Sequence, residues 1–576
     1  MSTIAACRNS LADVPRVEML ALAKSCLLSH FGESDAGAGS NSLVGQAPLE
    51  RVNVTLRTRG RLRGSMSAAG ENLGAQIQGA VIRAACDKRF KSRLAQAELD
   101  HVDLEIWLQT GSERISAENA AAGGFLELGV DGAEVRLGSK SAYYKPSVAI
   151  TRGRYTTEAF MSSLCKKAGL AKETWKDPRC IVLRTRWISV SDGPGGSVSP
   201  HIPGEVEIRR ADVARWLQES AAYLTNSIQA SGDFTYIYDP INDREIIEPP
   251  SSVRLAGCLF ALSRFYDSAY ADSANIGFEN AIHRVAATQV ERTIEWVDAR
   301  RIMPEPKPNA APKLGSTALL ALALGCERLS QEFRSYYESL VGSVISAQTP
   351  SGRFLTHFGV SVENAQSSEF FAGQALLTLV QRAERGDGFA ADKCGAAFAP
   401  YRKQFETRPS SAFAGWHVDV WSRMALLTGR EDYAAFAFEQ ADWLLKMQIT
   451  SGPAGSSLGG FSSGGRMPKF SSVVYLEAIV RAYILARAVA PDRIGHYRRA
   501  IELGLGFCSR LRLSGQQMAW FPNPKRSSGG VGLSVLDRRV RCDVPQHFIT
   551  LCLALLEADG LLSVAPEGAA MAVSPC

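Results

Sequence analysis

Three short stretches in the second half of the chain hold side chains that can move protons. R-C-D-V-P-Q-H (541–547) sets Asp543 four residues before His547. On a helix that spacing puts both on one face, which suits a carboxylate-oriented imidazole working as general base or acid. G-W-H-V-D-V-W (415–421) sets His417 two residues from Asp419, flanked by Trp416 and Trp421. Extended backbone would bring the two polar groups to one face, whereas a helix would set them about 200° apart. S-S-E-F-F-A-G-Q (367–374) puts Glu369 at the head of an otherwise apolar segment. It reads either as a catalytic carboxylate or as one that satisfies first-turn amides. Glu369, His417, Asp419, Asp543 and His547 are therefore the catalytic candidates. Tyr238, Arg254, Trp416, Tyr475, Glu477 and Gln546 are the candidates for binding substrate. Cys542, His547 and His417 offer an alternative, a Cys/His set for zinc or iron. No other cofactor is suggested.

A repeated helical pattern must position these residues. Six segments are amphipathic and charged along one face: 211–229, 279–299, 332–347, 390–406, 431–448 and 494–511. Each is followed by a more apolar segment rich in small residues: 251–266, 313–329, 366–384, 412–428, 471–489 and 543–558. Helices that are apolar all round must be buried, while amphipathic ones face solvent on one side. Alternating the two kinds gives an inner and an outer ring, an (α/α)6 toroid. An open α-solenoid is the competing arrangement. The connections echo one another: S-G-D-F (231–234), S-G-R-F (351–354) and L-G-G-F (458–461), with L-S-G-Q-Q-M-A-W-F (513–521) as a looser copy. His357, just after the second of these, faces either the funnel or its rim. The candidates fall where inner helices begin, and free N–H groups with partial positive charge there favour an anionic substrate.

Such a toroid resembles the carbohydrate-active hydrolases, uronate lyases and sugar epimerases. The resemblance implies two acid/base groups working across one sugar ring, with aromatic stacking. Two alternatives stand beside it. One is a metal-dependent toroid enzyme of the terpene-cyclase-like kind, acting on a peptide or isoprenoid. The other is a non-catalytic scaffold whose funnel holds a peptide.

The first third of the chain is of another kind. Strand-like runs at 52–58, 103–108 and 180–187 mix with helical runs at 15–30, 72–86 and 155–168, an α+β or α/β pattern. GRLRGSMSAAGENLGAQIQGAVIRAACDKRF (60–90) resembles the AMMECR1 family, in which L-R-G-C-I/V-G precedes a helix ending in A-x-x-D-x-R-F. LDHVDLEIWLQTGSERI (99–115) resembles the family's next strand. GFLELGVDGAEVRLGSKSAYYKPSVA (124–149) resembles its hairpin and Y-L-P-x-V-A segment. FMSSLCKKAGL (160–170) and the W-x-D-P of 175–178 complete the order. The resemblance covers about residues 15–190 and implies an α+β fold more than an activity. Ser65, after Arg63 and Gly64, stands at the family's Cys position, and Ser67 at its following Gly. If that Cys is a nucleophile, this chain keeps only a hydroxyl, which needs an adjacent base. Arg63, Ser65 and His101 form the candidate site, with a purely structural turn as the other reading.

The expected layout is an AMMECR1-like domain over 1–188, a Gly/Pro/Ser-rich linker over 189–209, the toroid over 210–565 and a flexible tail over 566–576. The 64 basic and 58 acidic residues leave a net charge of +6 on 576 residues. With no run of five Lys/Arg, neither nucleic acid nor an anionic membrane is an expected partner. The partner is instead a small-molecule, sugar or peptide substrate. No apolar stretch is long enough to span a bilayer, and the start of the chain lacks a leader pattern. The twelve cysteines form no C-x-x-C pair and read as buried thiols, which suits the cytoplasm.

Overall fold

The computed structural model describes residues 16–33, 43, 45–192, 208–271, 276–361, 363–451, 455–462, 466–518, 520–558 and 560–563. Most of the expected linker and the expected tail lie outside the described residues. The chain divides into two compact units. One is built on the N-terminal residues and takes in Pro240–Asp243 and Leu513–Ser527; the other holds the helical remainder.

The first unit is α+β. Strands β1 (Arg51–Thr58), β2 (Arg61–Ala68), β3 (Val102–Ile115), β4 (Gly132–Leu137), β5 (Lys140–Tyr144) and β6 (Ile181–Ser191) form one antiparallel sheet in the order β2-β1-β3-β6-β4-β5. Strand β6 runs through Ser189–Ser191, residues expected to begin the linker. Helices α1 (Arg16–His30), α2 (Leu73–Ala85) and α3 (Thr157–Lys167) accompany the sheet. Asn72 caps α2, its side chain accepting the Ala75 N–H. Strand alternation sends Val52, Val54 and Leu56 into a core shared with Leu22, Ile77 and Val81. It sends Asn53, Thr55 and Arg57 to the opposite face. The register places Thr55 opposite Ser65 on β2 and opposite Glu105 on β3. A row of polar side chains therefore crosses three strands.

The second unit is the (α/α)6 toroid. Its outer helices are α4 (Arg210–Asn226), α6 (Ile276–Glu291), α8 (Arg334–Ser346), α10 (Gly388–Thr407), α12 (Glu431–Leu445) and α14 (Ile494–Leu511). The inner helices are α5 (Ser252–Asp267), α7 (Leu314–Leu324), α9 (Ala365–Ala383), α11 (Ser411–Thr428), α13 (Ser471–Val489) and α15 (Asp543–Glu557). Every residue of α7 is buried, as an all-apolar helix requires. Consecutive inner helices pack side by side, and α15 packs back on α5, so the ring closes and the open solenoid is excluded.

The outer turns show the same closure. Gly459 has φ +83°, and a Cβ there would meet the Leu503 carbonyl of α14. Gly529 has φ +81°, and its Cβ would meet the Glu219 carbonyl of α4, the first outer helix. Each turn thus abuts the next outer helix in the ring, and only glycine fits both the backbone angle and the approach. Bridges Ile228↔Phe234, Gln348↔Phe354, Gln448↔Phe461 and Arg512↔Val531 mark four such turns. The fourth uses Gly529 rather than 513–521, which is a correction. Leu513–Ser527 is an insertion ahead of the turn, and it belongs to the first unit. A second correction concerns the segment expected to be helical over 279–299. Its helix stops at Glu291, and the short strand Ile294–Glu295 pairs with Arg301–Ile302.

Candidate functional site

The inner helices bring polar side chains to the toroid axis in layers. In the upper layer, His547 of α15 lies with Nδ1 4.0 Å from the Glu477 carboxylate of α13. Thr550 donates to the same carboxylate at 2.8 Å, which orients it. The Trp416 ring of α11 stands edge-on to the imidazole, centroids 5.8 Å apart. The side chains of His547 and Glu477 are 15% and 18% exposed, so both reach the space between the helices. That space is about 30 Å3, room for one water. Gln546 is buried and covers Gly257, a close approach that a Cβ would block.

Below this layer lies an ionic floor. Asp419 meets Arg481 at 3.3 Å and Arg423 at 4.0 Å. Glu557 bridges Arg481 and Arg264, each at 2.6 Å, and Glu384 binds Arg423. Burial works to raise the Glu557 carboxyl, but Arg481 and Arg264 outweigh it and hold it at about 2. Beneath the floor a cavity of about 450 Å3 is lined by Arg264, Arg385, Arg423, Arg481, Glu384 and Glu557.

Several expected pairings do not form. Asp543 is taken by two guanidiniums, and the carboxylate nearest the His547 imidazole is that of Glu477, 4.0 Å away. Arg541 grips Asp543 at 2.6 and 2.8 Å, and Arg254 reaches it at 3.1 Å. Arg254 also donates to the Tyr236 hydroxyl. Residues 415–421 are helical, and His417 and Asp419 therefore diverge. Asp419 goes to the floor, while His417 is fully buried and stacked on Phe413 with ring centroids 3.6 Å apart. Desolvation, assisted by Arg353, lowers His417 to about 3, so it stays neutral. The Cys542, His547 and His417 set is not assembled. Cys542 is buried just before α15, and no group of three or more His, Cys, Asp or Glu poised for a metal exists among the described residues. Glu369 pairs with Arg408 at 3.3 Å. Tyr238 is 1% exposed in strand β7 (Ile237–Asp239), and Tyr475 shares a hydrogen bond of 2.8 Å with Ser411.

Two groups escaped the sequence reading. Glu305, whose side chain is 6% exposed, accepts from Lys313 at 2.8 Å and from Ser252 and Ser316, with His357 bridged to Lys313. Burial and Lys313 lower the His357 imidazole against the pull of Glu305. Arg423, Arg481 and Glu557 also escaped, although a charge inside an apolar inner helix is the signal that marks them.

In the first unit, Arg63 is held by Glu98 at 2.8 Å through both Nε and Nη2. His101 is exposed at the end of its short turn and is not joined to Ser65. Ser65 Oγ instead lies 2.9 Å from Thr55 Oγ1 and donates to Asn53 Oδ1 at 3.2 Å.

The AMMECR1 family profile matches residues 24–186. A protein of Methanothermobacter thermautotrophicus is 33% identical over 137 residues, which cover 23% of this chain and 70% of that protein. The chain belongs to the AMMECR1 family. It does so through its first unit, and the family name carries no activity with it. The toroid is similar to the cellobiose 2-epimerase of Bacillus thermoamylovorans, at 10% identity and a TM-score of 0.46, covering 60% of this chain and 98% of that one. It is also similar to a GH76 α-mannanase of Bacteroides thetaiotaomicron, at 11% identity and a TM-score of 0.42, covering 60% and 96%. In this AMMECR1-family chain, no described helix is long and apolar enough to cross a membrane.

Proposed function

We propose that the toroid is a carbohydrate-active enzyme that works by general acid/base catalysis, with His547 and Glu477 as the proton-handling pair. One observation carries this reading: the imidazole and carboxylate face the ring axis 4.0 Å apart, partly exposed, with an indole edge beside them. A carboxylate at that distance supports an imidazolium once the ring has taken a proton. The gap of about 30 Å3 admits a water or one hydroxyl group but no sugar ring. The ring of a sugar or uronate would therefore sit above, toward the inner-helix starts, and present one carbon or hydroxyl to His547. Glu369, Asp419 and Asp543 hold arginines in this reading and take no proton from substrate. All ten described cysteines are free thiols, which fits our placing of the protein in a reducing compartment such as the cytoplasm.

Incubating the protein with a panel of aldoses, ketoses, uronates and oligosaccharides in D2O, and in parallel in H2 18O, tests this. Solvent deuterium on a substrate carbon identifies an epimerase, isomerase or lyase, and solvent oxygen in a released sugar identifies a hydrolase. His547→Gln should cut either signal by about 10²–10⁴-fold. Equal turnover by wild type and His547→Gln would remove the pair from the chemistry.

A further inference from the structure

We propose that Ser65 is a nucleophile for acyl transfer, and that Lys145 takes up its proton through the Thr55 hydroxyl. The substrate class is an ester that carries an anionic group. Ser65 replaces the family's Cys, and Lys145 stands where the Y-L-P-x-V-A pattern has Leu. These two departures meet in one hydrogen-bonded network although 80 residues separate them. Lys145 Nζ bonds Thr55 Oγ1 and lies 3.2 Å from Asn53 Oδ1. Thr55 Oγ1 is 2.9 Å from Ser65 Oγ. Thr55 is fully buried, whereas Ser65 is only half-buried, so Ser65 is the member that a substrate can reach. The cross-strand register of Thr55 with Ser65 and Glu105 fixes the row.

The surroundings fit the role. Burial first, then Arg57, Lys167 and Arg89, lower the Lys145 amine to about 7 against the pull of Glu105. The Trp107 ring closes its other side, 5.1 Å away. An amine that is half neutral near pH 7 can accept a proton that an ordinary lysine cannot. Of the cations that depress it, Arg57 is paired with Glu105 and Arg89 with Asp87, whereas the exposed Lys167 bonds only the Tyr143 carbonyl and is the one that suits an anionic substrate. Arg89 donates to the Ser65 carbonyl at 2.6 Å, and Lys167 lies 4.9 Å from the Tyr143 ring. Tyr143 shares a hydrogen bond of 2.5 Å with Ser67, two residues from Ser65.

For the step, the Ser65 hydroxyl turns its proton from Asn53 Oδ1 to Thr55 Oγ1, and the Thr55 hydroxyl turns its own from Asn53 Oδ1 to neutral Lys145. Ser65 Oγ then bonds to the acyl carbon as its proton passes to Thr55 and the Thr55 proton passes to Lys145. The ester C–O bond breaks, and the alcohol leaves with the proton returned from Lys145. Water then attacks the acyl-serine through the same relay, and the products are the acid and the alcohol.

A fluorophosphonate probe, with peptide mapping by mass spectrometry, tests this on the full chain. Labelling forms a bond from Ser65 Oγ to phosphorus as fluoride leaves. We expect label on the Ser65 peptide, absent in Ser65→Ala, with a rate that rises through about pH 7. Lys145→Met should slow labelling by about 10²-fold and flatten the pH profile. Thr55→Val, which breaks the relay but keeps the lysine, should do the same and serves if the lysine variant does not fold. No label at Ser65, or an unchanged pH profile in Lys145→Met or in Thr55→Val, overturns the proposal.

Discussion

The two units each gather charges inside the fold, and they balance them differently. On the toroid floor three carboxylates, Asp419, Glu384 and Glu557, meet three guanidiniums, Arg264, Arg423 and Arg481. In the sheet unit Glu105 alone faces both Arg57 and Lys145. Burial opposes charge in both places. In the balanced set no proton needs to leave, because each charge has its complement. In the surplus set one group must give way, and it is the lysine, since a guanidinium does not deprotonate. A compensated cluster is a structural joint, whereas a cluster with excess charge keeps a group that titrates near neutrality.

The largest effect should come from unbalancing the floor. Arg481→Met strips Asp419 and Glu557 of a shared partner whose side chain is only 11% exposed. Breaking one member of such a set costs about 3–5 kcal/mol. Lys145→Met removes a surplus charge and should be neutral or stabilising below pH 7. Urea unfolding of both variants reads the contrast. If Arg481→Met unfolds at the wild-type midpoint, the floor is not the joint described above.

The second effect is a slope with pH. The folded chain gives up the Lys145 proton near pH 7, while the unfolded chain holds its proton up to 10.5. Between those values the unfolded state binds more protons, so stability rises with pH, by a few kcal/mol over the window. Glu557 runs the opposite way at the other end of the scale. Its contribution is complete above 4.5 and drains as pH falls toward 2. With 45% of its side chain exposed, solvent screening limits that share to about 1 kcal/mol. Burial, then Arg89, Arg152 and Arg51, also lower Lys167, to about 8, so melting curves from pH 6 to 10 should show an alkaline rise in wild type that Lys145→Met reduces and Lys145→Met with Lys167→Met loses. A rise that is undiminished in Lys145→Met assigns it to another group.

Local pattern and long-range partnership were unequally visible in the sequence. The twelve toroid helices could be read because burial imposes their periodicity and small residues mark the inner ring. Residues 294–299, the first part of the hairpin, read as the end of a helix because I-E-W-V-D keeps an amphipathic spacing while the ladder that overrides it comes from residues ahead. The fourth turn was misplaced because an insertion carries its own glycine. The site was harder still. Asp543 and His547 have the right spacing for a pair, yet Arg541 grips both oxygens of the carboxylate and Arg254, 289 residues away, reaches it as well. Lys145 and Thr55 are 90 residues apart, and only sheet register brings them together. Charge compensation depends on which helix or strand lies beside which, and spacing within one element does not encode that.

The smallest effect separates two histidines that the sequence could not rank. His417 accepts the Trp421 indole N–H at 3.3 Å, and its Nε2 has no hydrogen-bond partner. It lies in the apolar packing between inner and outer helices, neutral down to about pH 3. His417→Leu should therefore cost about 1–2 kcal/mol, the price of orphaning a buried indole N–H. It should leave any pH–rate profile of the toroid between pH 5 and 8 unmoved, because nothing that titrates there is lost. His547→Gln should do the converse, cutting turnover by about 10²–10⁴-fold while shifting stability by less than about 0.5 kcal/mol, since His547 is partly exposed and fills little of the core. Thermal melts and pH–rate profiles of both variants decide it. A profile that moves in His417→Leu and stays fixed in His547→Gln would reverse the assignment and relocate the chemistry from the ring axis to the helix interface.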